Sequence, residues 1–173
     1  PVLKPLDPRI STHARARTGA RPDKTKQAVF SKIPKVDSCI HFAGLKAVGE
    51  STKEPILYYE KNVGGCVKLL DAMARHGVKN IVFSSSATVY GSAAVPINED
   101  SPVGIGITNA YGRSKYMIEE ILGDLGRSPA GAAWGICVLR YFNPVGAHPS
   151  GEIGEDPNGP PNNLMPYVSQ VGD

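Results

Sequence analysis

The sequence predicts an α/β fold in which a parallel sheet is flanked by helices. Three apolar segments of strand length, residues 36–44, 78–83 and 134–139, alternate with two segments of helical periodicity. This strand–helix alternation is typical of parallel sheets. Ligands of such sheets bind at the carboxyl ends of the strands, and all three predicted strands end in small or polar residues. The pattern therefore predicts a binding site at that edge of the sheet.

The first predicted strand, residues 36–44, is a short buried segment that ends in a Gly turn. The helix after it begins near Pro55, because proline is tolerated in the first helical turn, and it ends at Gly77 in the usual C-cap position. Apolar residues recur through this helix at spacings of three and four and predict one continuous stripe: Ile56, Tyr59, Val63, Cys66, Val67, Leu70, Met73 and Ala74.

The second predicted strand, residues 78–83, is a continuous apolar run of the kind that is buried on both faces of a parallel sheet. An irregular loop rich in Pro and Gly follows at residues 92–109, and a second helix is predicted over residues 110–125. After the third strand, residues 134–139, Gly, Pro and Asn dominate as far as Asp173. No periodicity there predicts a further element.

The amino-terminal segment differs from the rest of the chain in charge. Residues 1–35 carry nine Lys or Arg against two Asp or Glu, whereas the remainder carries ten against fourteen. This segment is rich in Pro and has no apolar periodicity, so we expect a basic, disordered arm at residues 1–34 and an α/β domain at residues 35–173. A nucleic-acid contact or a transit peptide is the alternative for a basic arm. Interleaved aromatic residues are missing, and we predict no nucleic-acid partner.

Composition argues against three further classes of protein. No apolar run approaches the roughly 18 residues that cross a bilayer, so no membrane partner is expected. The cysteines Cys39, Cys66 and Cys137 are scattered and never in C-x-x-C spacing, which favours reduced core thiols and a cytoplasmic location. The four histidines show no ligand spacing with carboxylates or cysteines, so no metal site is predicted.

Tyr111 and Lys115 carry the strongest chemical signal. They lie four residues apart in the predicted second helix and share one face, which the apolar residues Ile118 and Leu122 continue toward the sheet. A tyrosine hydroxyl with its ordinary pKa of about 10 is a poor base at neutral pH, but a neighbouring ammonium lowers that pKa. The phenolate could then take a proton from a substrate hydroxyl, with Ser86 hydrogen-bonded to the same oxygen. Y-x-x-x-K alone is common on helices by chance.

The segment 84–91, with the sequence SSSATVYG, together with the segment 111–115, YGRSK, resembles the extended short-chain dehydrogenase/reductases. Within that superfamily it is similar to the UDP-glucose (UDP-galactose) 4-epimerase family. Sugar-nucleotide dehydratases of the superfamily have an acidic pair after the serine strand, where this chain has Ala87 and Thr88. Further matching stretches extend the resemblance over roughly residues 36–171: residues 42–51, 139–144, 154–157 and 162–167.

The resemblance implies a partial Rossmann-like sheet and a role for each residue of the motif. Tyr111 would be the catalytic base, Lys115 its pKa-lowering partner and nicotinamide-ribose ligand, and Ser86 the hydroxyl partner. The reaction implied is the interconversion of UDP-glucose and UDP-galactose through a 4-keto sugar with tightly bound NAD. The family also implies a homodimer formed through the two helices that flank the site.

Further residues are implied as ligands by the same resemblance. Without it, Lys46 reads equally well as a solvated loop residue, and Asn143 and Asn163 as turn residues. The NAD site would be lined by Phe42, Ala43, Gly44, Lys46, Asn62 and Tyr141. The UDP-sugar would contact Phe142, Asn143, Asn163 and Leu164.

The chain departs from the family pattern at both ends. It contains no G-x-x-G-x-x-G or G-x-G-x-x-G turn for the NAD pyrophosphate, and the acidic residue that would hold the adenosine ribose is missing. We therefore expect a fragment that lacks the first strands and the carboxyl-terminal substrate region, with an unpaired edge beside residues 36–44. Three functions stay open: the 4-epimerase, a catalytically inactive fragment that acts as a binding module, and another sugar-nucleotide epimerase of the superfamily.

Overall fold

The structure, a computed structural model, describes residues 32–33, 35–146, 148–153 and 163–171. Two compact units are present, Pro1–Arg140 and Tyr141–Asp173, and each is described by itself. The predictions for most of the basic arm and for the stretch 154–157 lie outside the described residues. The arm–domain boundary at residue 34 stays a prediction.

The predicted α/β fold with a parallel sheet is confirmed. Strands β1 (Cys39–His41), β2 (Asn80–Ser86) and β3 (Gly135–Tyr141) form one three-stranded sheet in the order β1-β2-β3. β1 and β2 run parallel, with Cys39 opposite Ile81. Because parallel neighbours need a long crossover, each connection between strands contains helices, which cover the sheet.

The crossover from β1 to β2 is helical almost throughout. It contains α1 (Val48–Lys53), α2 (Pro55–Tyr58), a π-helical segment (Tyr59–Gly64) and α3 (Gly65–Arg75). The predicted start at Pro55 is confirmed, while α1 lies in a segment for which no element was predicted.

The end of this crossover at Gly77 is also confirmed. Gly77 has φ of +71°, a left-handed conformation that glycine adopts without steric penalty. The Val78 amide donates to the Met73 carbonyl at 2.9 Å, and the Gly77 amide donates to Ala74 at 3.2 Å. Both bonds satisfy carbonyls that the end of a helix would otherwise leave unpaired.

The single apolar stripe predicted for this helix is wrong in part. Cys66 and Met73 are buried, whereas Ile56 is 78% exposed and Val67 is 47% exposed. The π-helical segment Tyr59–Gly64 explains the difference. Its i→i+5 hydrogen bonds make a wider turn, so the side chains before and after it do not stay on one face.

The crossover from β2 to β3 contains a 3₁₀ turn (Ala87–Tyr90), an irregular loop, α4 (Ala110–Arg127) and a second 3₁₀ turn (Pro129–Ala133). The helix predicted over residues 110–125 is therefore confirmed and continues to Arg127. Its start is capped by Asn109, whose Oδ1 accepts a 2.8 Å hydrogen bond from the Gly112 amide.

Two boundaries and one element differ from the sequence predictions. β2 continues through the serines to Ser86, and the Ser85 and Ser86 side chains there are hydrogen-bonded to Glu119 and to the Thr88 amide. β3 reaches Tyr141 rather than ending at residue 139. In the second unit, α5 (Leu164–Val171) lies in a segment for which no helix was predicted.

The core lies between β2, α3 and α4. It excludes water from the apolar faces of these elements, which is the main stabilising contribution in a domain of this size. Its buried members are Cys66, Leu70, Met73, Val78, Ile81, Phe83, Ile118 and Leu122. The carboxyl end of β2 continues directly from this core into the candidate site.

Candidate active site

Lys115 lies on the face of α4 that packs against β2, as the sequence predicts. Its side chain is 5% exposed, and its Nζ donates a 2.7 Å hydrogen bond to the Ser84 main-chain oxygen. The same Nζ lies over the Phe83 ring, 4.9 Å from the ring centroid. The hydrogen bond and the cation–π contact together stabilise a buried ammonium at the end of the strand.

The environment of Lys115 changes its acidity. Burial, which disfavours the charged form, lowers the pKa of the Lys115 ammonium to about 8. The nearby Cys66 thiol acts in the opposite direction on that pKa. At neutral pH the ammonium therefore remains largely protonated, although it releases its proton more readily than an exposed lysine.

Tyr111 lies one helical turn before Lys115 and is half-buried. The Lys115 Nζ is 5.8 Å from the centroid of the Tyr111 ring, so the predicted pairing of these two side chains is present. A buried positive charge beside the ring is the arrangement that the predicted acid–base role requires. The role of Tyr111 as the base stays a prediction.

Ser86 is the last residue of β2 and is 8% exposed. Its Oγ accepts a 3.3 Å hydrogen bond from the Thr88 amide and so caps the 3₁₀ turn Ala87–Tyr90. The hydroxyl hydrogen takes no part in this contact. Since Lys115 is bonded to Ser84, two residues earlier, the strand end that carries Ser86 is tied directly to α4.

The loop after β1 contains most of the predicted cofactor residues. Phe42 is 63% exposed and Lys46 is exposed, while Ala43 and Gly44 between them are half-buried. An exposed aromatic ring, a cation and two small residues fit a dinucleotide, which offers flat rings and a pyrophosphate. The residues of the loop after β1 are thus compatible with the predicted NAD site.

Asn62, also predicted as a cofactor residue, is buried in the π-helical segment, and its amide is engaged within the protein. Its Oδ1 accepts from the Leu45 amide at 2.8 Å, and its Nδ2 donates to the Leu45 carbonyl at 3.0 Å. Nδ2 also donates to the Ser114 Oγ at 3.1 Å. Asn62 therefore joins the loop after β1 to α4 at the residue before Lys115, and a cofactor contact stays a prediction.

The remaining predicted ligands lie in the second unit, which is described by itself. Tyr141 is half-buried at the end of β3, and Phe142 and Asn143 after it are exposed. Asn163 is half-buried, and Leu164, at the start of α5, is 75% exposed. Their contacts with NAD or a UDP-sugar stay predictions.

Sequence reasoning missed two parts of the site. Phe83 was interpreted only as a core residue, although its position three residues before Ser86 places its ring under Lys115. The Ser84 carbonyl carries no sequence signal, since every residue has one. The Phe83 ring also contacts the His41 ring in a tilted arrangement, with the ring centroids 5.7 Å apart.

The described residues also bear on a metal site and on a membrane-spanning helix. Within the described ranges, no three or more His, Cys, Asp or Glu side chains are grouped so that they could hold a metal ion. None of the helices in the described part of the chain is long and apolar enough to cross a membrane.

The fold and the site define an α/β domain in which a buried lysine and a half-buried tyrosine lie at the carboxyl end of a parallel strand. Residues 7–170 match the NAD dependent epimerase/dehydratase family, and the chain belongs to that family. The match begins within the basic segment, further toward the amino end than the motifs from residue 36 onward.

Individual relatives agree with this assignment. The chain is 62% identical to UDP-glucose 4-epimerase 2 of Arabidopsis thaliana over 146 residues, which cover 84% of this chain and 40% of the relative. It is 61% identical to the Homo sapiens UDP-glucose 4-epimerase, with coverage of 84% and 41%. The Bifidobacterium longum UDP-glucose 4-epimerase, solved with NAD+ and UDP, has a TM-score of 0.77 at 54% identity, covering 84% of this chain and 42% of that one. The chain thus spans about 40% of the length of the curated relatives it matches.

Proposed function

We propose that this chain carries the acid–base part of a UDP-glucose 4-epimerase, which interconverts UDP-glucose and UDP-galactose. The observation that carries the proposal is the buried Lys115 ammonium, bonded to the Ser84 carbonyl and 5.8 Å from the Tyr111 ring. Identities of 61–62% to UDP-glucose 4-epimerases support the same activity. Its substrate class is a UDP-sugar.

In the proposed mechanism Tyr111 takes the proton from the sugar 4-hydroxyl and later returns it. Lys115 stabilises the phenolate form in which Tyr111 takes that proton and to which Tyr111 reverts on returning it, because its buried ammonium lies beside the Tyr111 ring. Ser86 donates its hydroxyl hydrogen to the same sugar oxygen and orients it. The sugar passes through a 4-keto intermediate that turns over in the pocket.

We infer that NAD is the cofactor, with Lys115 on its nicotinamide ribose and six further residues lining its site: Phe42, Ala43, Gly44, Lys46, Asn62 and Tyr141. When bound, NAD supplies the hydride acceptor and donor for the sugar carbon. The exposed Phe42 ring offers an apolar surface, and the Lys46 ammonium offers a countercharge for the pyrophosphate. Phe142, Asn143, Asn163 and Leu164 are proposed to contact the UDP-sugar.

Two alternatives remain for the whole protein. The chain lacks a Gly-rich pyrophosphate turn, so a catalytically inactive fragment that acts as a binding module is the second candidate. Another sugar-nucleotide epimerase of the superfamily is the third. The Ala87–Tyr90 turn has no carboxylate where a dehydratase would need an acid, which argues against dehydration.

Calorimetric titration of the purified chain with NAD tests the proposal. We expect saturable binding that the Lys115→Met variant weakens at least tenfold, and conversion of UDP-glucose that Tyr111→Phe abolishes. A variant of matched size on the helix surface, Lys68→Met, is the control for lost charge. A folded chain that neither binds millimolar NAD nor converts the sugar nucleotide would favour the inactive fragment.

We also propose a homodimer through the helices that flank the site, and a cytoplasmic location. Ile56, Val67 and Met117 are exposed apolar side chains on α2, α3 and α4, and burying them against a second copy would be favourable. Light scattering should give twice the chain mass, and Val67→Glu should halve it. Cys39 and Cys66 form no disulfide, which agrees with a reducing compartment.

A further inference from the structure

A partly buried ion pair joins four elements at the candidate site: α4, β2, β3 and the 3₁₀ turn Ala87–Tyr90. Glu119, one helical turn after Lys115 on α4, has a side chain that is 8% exposed. Its carboxylate accepts from the Arg140 Nη2 at 2.8 Å and from the Arg140 Nε at 3.2 Å. Arg140 belongs to β3, so the pair ties the helix that carries Tyr111 and Lys115 to the strand beyond β2.

Glu119 and Arg140 each form a further hydrogen bond to a neighbouring side chain. The Ser85 hydroxyl of β2 donates to the Glu119 Oε1. The Arg140 Nη1 donates to the Tyr90 hydroxyl at 3.1 Å, and the guanidinium lies 4.9 Å from the centroid of the Tyr90 ring. A buried ion pair is retained only if its geometry is good and further hydrogen bonds satisfy it, and both conditions hold here.

The residues that the pair contacts adjoin those of the proposed function. Ser85 lies between Ser84, which accepts the Lys115 hydrogen bond, and Ser86. Tyr90 ends the turn that Ser86 caps. The proposed acid–base step does not itself use Glu119 or Arg140, and the sequence patterns single out neither residue for it.

We propose that Glu119 and Arg140 are positioning residues that fix the end of β2 against α4 and present Lys115 with a neighbour of zero net charge. Glu119 alone, four residues from Lys115 on the same helix, would hold an anion beside the ammonium. Arg140 neutralises that anion, so burial rather than charge pairing decides how firmly Lys115 holds its proton. The Ser85 and Tyr90 contacts keep the pair in one geometry.

The charged and titratable groups near Lys115 are few, so the effect of Glu119 and Arg140 on Lys115 can be distinguished from that of the others. Tyr111 and Glu119 lie on its own helix, and the Cys66 thiol reaches it from α3. β2 contributes the uncharged Phe83 ring and the Ser84 carbonyl. Among these groups, Glu119 is the carboxylate, and its partner Arg140 is a permanent cation because the hydrogen bond to Glu119 raises the pKa of the guanidinium.

The test follows the proton on the Lys115 Nζ by NMR of the ¹⁵N-labelled chain between pH 6 and pH 11, with the resonance assigned by Lys115→Met. In Arg140→Met the unneutralised Glu119 should raise the pKa of Lys115 by about one pH unit. In Glu119→Gln the unneutralised Arg140 should lower it by about as much. The double variant should restore the original titration.

Opposite shifts cannot arise from loosening of the fold, because entry of water would raise the pKa of Lys115 in both single variants. Shifts of the same sign, or no shift in either, would overturn the proposal. Should a single variant fail to fold, Arg140→Lys serves instead, since it keeps the charge and loses the forked geometry. It should leave the titration unchanged, and a shift of about one pH unit would contradict charge balance.

The matched control is the exposed ion pair of Asp71 and Arg75 on α3, whose neutralisation by Asp71→Asn or Arg75→Met should leave Lys115 unaffected. The inference rests on the proposed function, because Lys115 and Ser86 are its acting residues. Its test uses neither NAD nor a sugar nucleotide. A chain that binds no NAD can therefore still show the opposite shifts, and a chain that binds NAD can still lack them.

Discussion

The Nζ of Lys115 donates to the main-chain oxygen of Ser84, two residues before β2 ends at Ser86. This bond crosses from α4 to the sheet and uses a backbone acceptor, which no side-chain substitution removes. It holds the lysine inside the protein beside Phe83 and Tyr111. The helix and the strand end are therefore positioned by the same group that is proposed to support the acid–base step.

Lys115 should make the stability of the chain depend on pH in one defined window. Burial lowers the pKa of Lys115 to about 8 in the folded state, below the value of about 10.4 for an unfolded lysine. Between these values the unfolded chain binds more protons, so the free energy of unfolding rises with pH. We expect a gain of about 3 kcal/mol between pH 7.5 and pH 10.5 relative to Lys115→Met, measured by urea unfolding. Equal pH dependence in both proteins would contradict a buried, titrating lysine.

Asn62 should matter for stability as well as for any ligand. Asn62→Ala leaves the Leu45 amide and carbonyl unpaired in a partly buried place, and we expect a loss of about 2–3 kcal/mol in unfolding free energy. The loop after β1 should then be cut faster by protease. Asn80→Ala is the control, because Asn80 makes one 3.2 Å bond to the Asp37 carbonyl at an exposed place and should lose less than about 1 kcal/mol.

Gly91 and Gly77 should respond differently to the same substitution. Both have positive φ, +53° and +71°, so alanine at either costs about 1 kcal/mol of backbone strain. At Gly91 a Cβ atom would also overlap the Ile105 main-chain oxygen, whereas at Gly77 nothing lies within 4 Å. We therefore expect Gly91→Ala to lose about 3 kcal/mol more than Gly77→Ala in chemical denaturation. Similar losses in both variants would mean that the loop containing Ile105 moves to make room for the Cβ atom at little cost in free energy.

Tyr58 should behave as a structural tyrosine that stays protonated. Its fully buried hydroxyl donates to the Ala47 carbonyl or the Glu50 carboxylate and accepts from the Ala47 amide. Burial and the Glu50 carboxylate raise the pKa of Tyr58 to about 12, so the stability it contributes is present below about pH 10 and lost as pH approaches 12.

Substitution of Tyr58 by phenylalanine measures the contribution of its hydroxyl to stability. Tyr58→Phe should lower the free energy of unfolding at pH 7 by about 1–2 kcal/mol, because the Ala47 amide loses its partner. Its thermal unfolding curve should also change less than that of the unmodified chain between pH 10 and pH 12. Tyr59→Phe, next along the chain and half-buried, is the matched control. An equal effect in both variants would refute a specific role of the Tyr58 hydroxyl.

The sequence by itself determined the fold class, and it predicts the place of the site and its acting residues. Strand β2 and helix α4 were predictable because apolar periodicity and turn residues are local properties of the chain. Tyr111 and Lys115 were placed on one inward face by spacing alone, and Lys115 is buried there.

Only the tertiary structure decided how that site is held together. The π-helical turn at Tyr59–Gly64, the Ser84 carbonyl and the partnership of Glu119 with Arg140 leave no local pattern in the sequence. Hydrogen bonds between residues distant in the chain depend on packing, since any carbonyl or carboxylate can accept one. The bonds of Asn62 to Leu45 and Ser114 are of the same kind, because they join residues 17 and 52 positions apart in the chain.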